Sequence, residues 1–285
     1  MPFVPPAGTE LVAYLGAGTA FEVAVVRERG EAQATFVCKR LTPRARSAQA
    51  GRATLVREAK VLALARHPAL PSLVRVGSDG HGPFLLETRV EGVSLRQLVD
   101  GWRLRGGGVP ALLVAHIALQ AIETLREIHA LEDAEGPLGV VHGDLGPDHL
   151  MLGPLGQLGV VDLGAARWRG MDPSLIHPDR GTLPFVAPEV ARGDEPPSAA
   201  ADVYALAATL LFVATGAPLA SSRDPAAMLL EIGERGVRLD ELPRAAAFTP
   251  EQRGALAAAL VFERDARVRT AVALLEAFSP PVRRE

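Results

Sequence analysis

Asp144 and Asp162 are the residues whose type and spacing best suit chemistry in this chain. Each follows an apolar, strand-like run (LGVV before His142-Gly143-Asp144, QLGVV before Asp162), and they stand eighteen positions apart. Mg²⁺ prefers oxygen and is commonly shared between one or two carboxylates and substrate phosphates, so two acids at the ends of short β-segments suit a Mg²⁺ and phosphate site. Either aspartate alone would read as an ordinary turn residue.

A phosphate site also needs a cation and a close backbone. Lys39 ends the apolar run FVCK, where a lone lysine is more often a snorkelling surface residue. The helix that follows changes this weighting. Leu55, Glu58, Ala59 and Leu62 recur at helical spacing, which puts Glu58 on the apolar face unless it points out at the stripe's edge. A carboxylate on an inward face needs a cation, and Lys39 is the natural partner. Gly16 and Gly18, followed by Val23, form a strand-turn-strand whose backbone can approach a phosphate closely. An ordinary hairpin turn would look the same.

Two kinds of element must hold these residues. From Glu10 to Leu41 the pattern is three strands joined by turns, LVAYLG, FEVAVVRE and a third ending ATFVCKRL. A helix from about Arg52 to Ala65 and strands around LVRVGSDG and PFLLETRV follow. Beyond Gly92 the pattern is helical: SLRQLVDGW, a long helix ALLVAHIALQAIETLREIHA, a run near 202–214, and helices at 225–234, 250–262 and 269–278. GGG at 106–108 and EDAEGP at 132–137 read as loops. The division is a β-rich lobe over 10–88 and a helical lobe over 92–279 of one domain spanning 1–285, hinged near Thr88–Gly92. With the last helix so near the final residue, no appended sensor or anchor is expected, and control falls to a separate partner.

The bulk numbers narrow the class. The chain has 285 residues, 48% of them hydrophobic, enough for a large core. Thirty basic against 33 acidic side chains leave a net charge of −3, too balanced for nucleic acid or an anionic membrane as main partner. The series Arg44, Arg46, Arg52, Arg57 reads as a solvated face. Cys38 is the single cysteine, which excludes an intramolecular disulfide and fits a reducing cytoplasm. No secretory signal is seen, and the longest apolar stretch, Tyr204 to Val213, is too short to span a bilayer and reads as a buried helix.

Several segments, in order, resemble protein kinases. HGD at 142–144 resembles the His-Arg-Asp motif and DLG at 162–164 the Asp-Phe-Gly motif. GTLPFVAPE at 181–189 resembles the end of the activation segment. ADVYALAATLLF at 201–212 and ERDARVRTA at 263–271 resemble the helix and the arginine that brace it. The likeness spans essentially the whole chain and is closest to the bacterial eukaryotic-like serine/threonine kinases. Small-molecule kinases of the aminoglycoside phosphotransferase type share the HGDL wording but lack the Gly-Thr…Ala-Pro-Glu segment and the Asp-Val-Tyr helix.

The resemblance implies an α+β bilobal fold of five strands and one main helix over a helical lobe, with ATP and Mg²⁺, or Mn²⁺, in the cleft. It makes Asp144 the group that orients the acceptor hydroxyl and Asp162 the first metal ligand. Lys39 and Glu58 become the nucleotide clamp, and Gly16, Gly18, Val23 and Val37 nucleotide contacts. His142, Thr182, Glu189, Asp202 and Arg267 become structural supports, with Thr182 near the acceptor site, Asp202 anchoring the catalytic loop and Arg267 pairing with Glu189. The implied partner is a protein substrate or a regulatory protein.

Five positions depart from the pattern. Val37 stands where alanine usually meets the adenine and would crowd that pocket. Phe21 replaces the third glycine of the turn, as an aromatic able to cover the phosphates. Gly143 removes the arginine that reads a phosphorylated activation segment, so phosphate on Ser174 or Thr182 would lack that reader. Gly146 replaces a lysine that neutralises the γ-phosphate. His149 replaces the asparagine of the second metal site, where an imidazole suits Mn²⁺ or Zn²⁺ better than Mg²⁺ or serves only as a hydrogen-bonded loop residue. Two readings stay open: an ATP-dependent serine/threonine kinase, slow or impaired, and a pseudokinase that binds nucleotide or protein without significant turnover.

Overall fold

The computed structural model describes residues 3–18, 20–30, 34–45, 49–176, 181–217, 219–237 and 247–279. Strands β1 (Thr9–Ala17), β2 (Phe21–Glu28) and β3 (Thr35–Leu41) precede helix α1 (Gln49–Leu64), and β4 (Leu73–Asp79) and β5 (Gly82–Thr88) follow it. The five strands form one antiparallel sheet in the order β1-β2-β3-β5-β4. β2 and β3 are rich in β-branched and aromatic residues, which suit a pleated, buried surface. Alternation then sorts their side chains. Ala24, Val26, Cys38, Phe84 and Leu86 gather with Phe3 on one face of the sheet. Leu41 and Leu85 join Leu55 and Leu62 of α1 in the main core. Burial pushes the Cys38 thiol up to about 12, so it acts as a small apolar filler.

After the hinge come β6 (Val93–Ser94), α2 (Leu95–Leu104) and α3 (Ala111–His129). Ser94 and Gln97 form a reciprocal capping box that starts α2. EDAEGP, read as a loop, instead makes a small hairpin of β7 (Glu132–Asp133) and β8 (Gly136–Pro137). β9 (Leu150–Leu152) and β10 (Leu158–Val160) pair with each other, β9 also pairs with β6, and they carry the segments that lead to Asp162. The run before Asp144 forms no strand. It is held by one bridge, Val141 to Arg167, and by backbone bonds of Leu138 to Leu131 and Arg169.

The helical lobe continues with α4 (Pro188–Arg192), α5 (Ala199–Thr215), α6 (Pro225–Arg235), α7 (Pro250–Ala259) and α8 (Ala271–Phe278). α5 is apolar all round, which is the signature of a helix enclosed by others, and it is buried from Ala200 to Val213. Ser198 caps its start by accepting the Ala201 N–H, and Gly216 ends it at φ 62°.

The solvated-face reading fails for Arg57, which is 2% exposed, although Arg44 and Arg52 are exposed. Arg57 sits on the core side of α1 and donates to the Leu175 carbonyl (3.4 Å), tying α1 to the segment after Asp162. Arg46 lies outside the described residues.

Candidate functional site

Lys39 stands on β3 with its side chain almost wholly buried. Three carboxylates surround its ammonium: Glu58 Oε1 at 2.5 Å, Asp162 Oδ1 at 3.3 Å and Glu87 Oε1 at 3.7 Å. Glu58 reaches inward from α1, and its Oε1 also accepts the Leu163 N–H (3.2 Å). The sheet, α1 and the Asp162 segment are therefore joined at one charged point.

One ammonium cannot balance three acids, and the titrations diverge accordingly. The Lys39 ammonium holds Asp162 well below the ordinary carboxylate range, against the opposing effect of burial. Asp162 is 47% exposed in its side chain and keeps its charge. Burial pushes Glu58 up, with Lys39 and the Leu163 N–H pulling it back. Burial pushes Glu87 up to about 8, reinforced by the nearby Glu58 and Asp162 charges and opposed by Lys39. Lys39 itself is raised well above its ordinary value: Asp162, then Glu58 and Glu87, outweigh a burial effect that acts in the opposite sense.

Asp202 organises the loop that carries Asp144. Its Oδ2 accepts the His142 N–H (2.7 Å) and contacts His129 Nε2 (3.0 Å), and its Oδ1 accepts the Gly143 N–H (3.0 Å). Asp202 is near the start of α5, where a carboxylate is favoured by the helix dipole. His142 is buried, and burial depresses its basicity. The neutral ring accepts the Asp144 N–H at Nδ1 (3.2 Å) and donates from Nε2 to the Val161 carbonyl (3.1 Å), locking Asp144 to the Asp162 segment.

Gly143 has φ +79°, and a Cβ there would lie 2.6 Å from the Ala165 carbonyl oxygen. Any larger residue at this position would have to move that backbone, which accounts for the glycine. Arg96 of α2 braces the same loop, with Nε 2.9 and 2.7 Å from the Asp148 oxygens and its guanidinium over Phe185 and Phe212.

His149 lies between the two aspartates. A carbonyl can only accept, so the 2.6 Å contact of Nδ1 with the Asp144 carbonyl places a proton on Nδ1. The His149 Nε2 lies 3.6 Å from Asp162 Oδ2. Asp144 Oδ1 is buried with no hydrogen-bond partner and faces Gly181 and Thr182. Gly146 faces Thr182 and Phe185 across the same gap. Asp162 has φ 66° and ψ 70°, the one positive φ outside glycine among the described residues. Strain of this kind persists where surrounding contacts over-determine it.

Glu189 and Arg267 pair in full burial, Nη1–Oε1 2.7 Å and Nη2–Oε2 2.9 Å. Arg267 also donates to the Val261 and Phe262 carbonyls and lies over the Tyr204 ring.

Between sheet and helical lobe runs a cleft of about 440 Å³, a volume typical of small-molecule sites. Leu15, Val23, Val25 and Val37 line it from the sheet, Met151 and Val161 from the helical lobe, and Glu87 to Val90 along the hinge. Val37 stands in its wall without closing it. Lys39, His149 and Asp162 occupy its polar end. Gly16 (φ +143°) and Gly18, whose N–H donates to the Phe21 carbonyl (2.8 Å), shape the turn after β1. The expectation that Phe21 covers phosphates is corrected: its ring packs half-buried on the main core, because its register opposite Leu41 turns it inward.

The donor set fits one Mg²⁺ held jointly with phosphates: a half-exposed, ionised Asp162 at the cleft's polar end. Among the described residues no group of three or more His, Cys, Asp or Glu side chains is arranged to hold a metal alone. At the second position the imidazole of His149 supplies nitrogen where Mg²⁺ prefers oxygen.

Sequence reasoning gave no role at the site to Glu87, Arg57 or Arg96. Strand alternation held a signal for Glu87. Leu85 and Glu87 share a face, as do Val37 and Lys39, and the β3-β5 register brings the two pairs together.

Comparison with known proteins fits this geometry. Residues 9–267 match the protein kinase domain family. The chain is 29% identical to the serine/threonine-protein kinase PknB of Mycolicibacterium smegmatis over 225 residues, 75% of this chain and 33% of that protein. It is 30% identical to mitogen-activated protein kinase kinase kinase 18 of Arabidopsis thaliana over 149 residues, 51% of this chain and 41% of that protein. The match to PknB of Mycobacterium tuberculosis is 29% over 197 residues, 67% of this chain and 29% of that protein. The chain thus spans less than half the length of each of these relatives.

Proposed function

We propose, from the premise that this chain belongs to the protein kinase family, that it binds Mg-ATP in the cleft and transfers the γ-phosphoryl group to a protein serine or threonine hydroxyl. The observation that carries the reading is the joint presence of the Lys39–Glu58–Asp162 cluster and an Asp144 held on a loop braced by Asp202 and His142.

Positioning and charge dominate phosphoryl transfer, and each residue has a matching task. Glu58 fixes Lys39, whose ammonium turns toward the nucleotide phosphates. Asp162, kept ionised, would hold the Mg²⁺ that comes with the nucleotide, and that ion would supply positive charge at the phosphates. The Asp144 carboxylate, its side chain 24% exposed, accepts the proton of the acceptor hydroxyl, on a loop oriented by the Asp202 and His142 network. Val23, Val37 and Met151 provide the apolar walls for the base. The partner is a protein carrying the acceptor hydroxyl, and the setting is cytoplasmic. No helix among the described residues is long and apolar enough to cross a membrane.

One specific observation favours the pseudokinase reading: Gly146 supplies no cation and His149 no oxygen, so the reaction lacks about a few kcal/mol of transition-state stabilisation. In that reading the cleft binds nucleotide as a regulatory module without significant turnover. Transfer of labelled phosphate from ATP to the chain and to a basic protein acceptor, with Mg²⁺ and Mn²⁺ in parallel, separates the two. Calorimetric ATP binding without transfer supports the module, and binding with transfer supports the enzyme. Absence of ATP binding in cooperatively melting protein overturns both.

A further inference from the structure

Glu87 has no task in the account above, yet it sits at the back of the cleft. It is 2% exposed, and β5 presents it between Val37 of β3 and Leu73 of β4. Its Oε1 is 3.7 Å from the Lys39 ammonium. Its Oε2 is buried and has no hydrogen-bond partner. Both Glu87 and the hinge residues Thr88 to Val90 line the cavity. A buried carboxyl oxygen left unmet is costly, and a ligand group that meets it is favoured correspondingly.

Resting on the reading of this cleft as a nucleotide site, we infer that Glu87 selects the base, favouring a 6-amino purine (adenine) over a 6-oxo purine (guanine or hypoxanthine). The phosphates belong at the polar end beside Lys39 and Asp162. The base then lies on Val23, Val37 and Met151 with one purine edge against the back wall. Adenine presents a donor at N6 beside an acceptor at N7, whereas guanine presents acceptors at both O6 and N7.

A neutral carboxyl offers one donor and one acceptor, which matches the adenine edge and mismatches the guanine edge. An ionised carboxylate only accepts, which still suits the N6 amine and opposes O6. The preference therefore has the same sign in either protonation state. Burial, which pushes Glu87 up to about 8, favours the better-matched neutral form at pH 7.

The test is calorimetric titration of the full chain with Mg-ATP and Mg-ITP, which share N7 but differ at position 6. Wild type is compared with Glu87→Leu and Glu87→Gln, each first shown to melt cooperatively; Glu87→Met replaces the leucine variant if that one does not fold. The expected result is a wild-type preference for ATP of at least about tenfold. That preference collapses to within about threefold in Glu87→Leu and returns in Glu87→Gln, whose amide also offers one donor and one acceptor. Equal binding of both nucleotides by wild type overturns the proposal, as does an apolar variant that keeps the wild-type ratio. Both outcomes leave the nucleotide site itself standing. Binding of neither nucleotide by folded wild type overturns the site and the proposal together.

Discussion

Replacing Glu87 by glutamine removes one ionisable group from a cavity where three acids share one ammonium, and the sign of its effect on stability depends on pH. Burial raises the Glu87 carboxyl from 4.5 to about 8 in the folded chain. Between these values the folded state binds more protons than the unfolded state, so stability falls as pH rises. The contribution is fully present below about pH 4.5 and is lost as pH passes about 8.

At about 1.4 kcal/mol per pH unit the ceiling is about 5 kcal/mol. The value near 8 already contains the attraction to Lys39, and relaxation of the cleft on ionisation reduces the expected loss to about 2–3 kcal/mol. Lys39 from β3, Glu58 from α1 and Asp162 after β10 face the group; of the acids, Glu58 and Glu87 end above their ordinary range, and Lys39 holds Asp162 below its own. Glutamine keeps the shape and cannot ionise. Urea unfolding of wild type and Glu87→Gln at pH 5 and pH 8.5 therefore gives near-equal stabilities at the lower pH and a more stable variant at the higher one. A stability difference that stays constant between the two pH values, or that shifts in favour of wild type as pH rises, refutes this reasoning.

Glu189→Ala leaves Arg267, with no side-chain exposure, without its carboxylate. A loss of about 3–5 kcal/mol is expected in denaturant unfolding, less for Glu189→Gln, which keeps one acceptor. Gly143→Ala forces a Cβ to within 2.6 Å of the Ala165 oxygen at φ +79°, so a destabilisation of about 1–3 kcal/mol is expected in thermal melts. His149→Asn restores an oxygen beside Asp162, and Mg²⁺ titration in the presence of ATP should show tighter metal binding. Unchanged Mg²⁺ affinity and unchanged turnover in that variant would remove His149 from the metal account.

Local and periodic features were the most legible in the amino-acid sequence. Helical spacing of Leu55, Glu58, Ala59 and Leu62 pointed Glu58 inward, and a buried charge demands a partner, which the structure supplies in Lys39. The α5 run advertised its burial by being apolar all round, and the α+β division followed from period-2 patterns giving way to helical ones. Features that depend on register were hidden. Alternation places Glu87 on the face of Leu85, but it joins the Lys39 cluster only because β5 pairs with β3 at one particular offset, which alternation does not set. Phe21 turned out to pack inward for the same reason. Arg57 looked like part of a solvated arginine series because its acceptor, the Leu175 carbonyl, lies 118 residues away. The extended run before Asp144 looked like a strand, but its backbone bonds go to Leu131, Arg167 and Arg169 as isolated contacts, with no continuous ladder.

The central claim is that Asp144, aligned by Asp202 and His142, serves phosphoryl transfer in a cleft that holds nucleotide through Lys39 and Asp162. Its most direct test is labelled γ-phosphate transfer by wild type and Asp144→Asn, with ATP affinity measured on the same preparations. The account predicts transfer by wild type and at least about a hundredfold loss in the variant with ATP affinity nearly unchanged, because Asp144 touches the acceptor and not the nucleotide. Equal transfer by both proteins, or no transfer by a wild type that binds ATP with either Mg²⁺ or Mn²⁺, would contradict it.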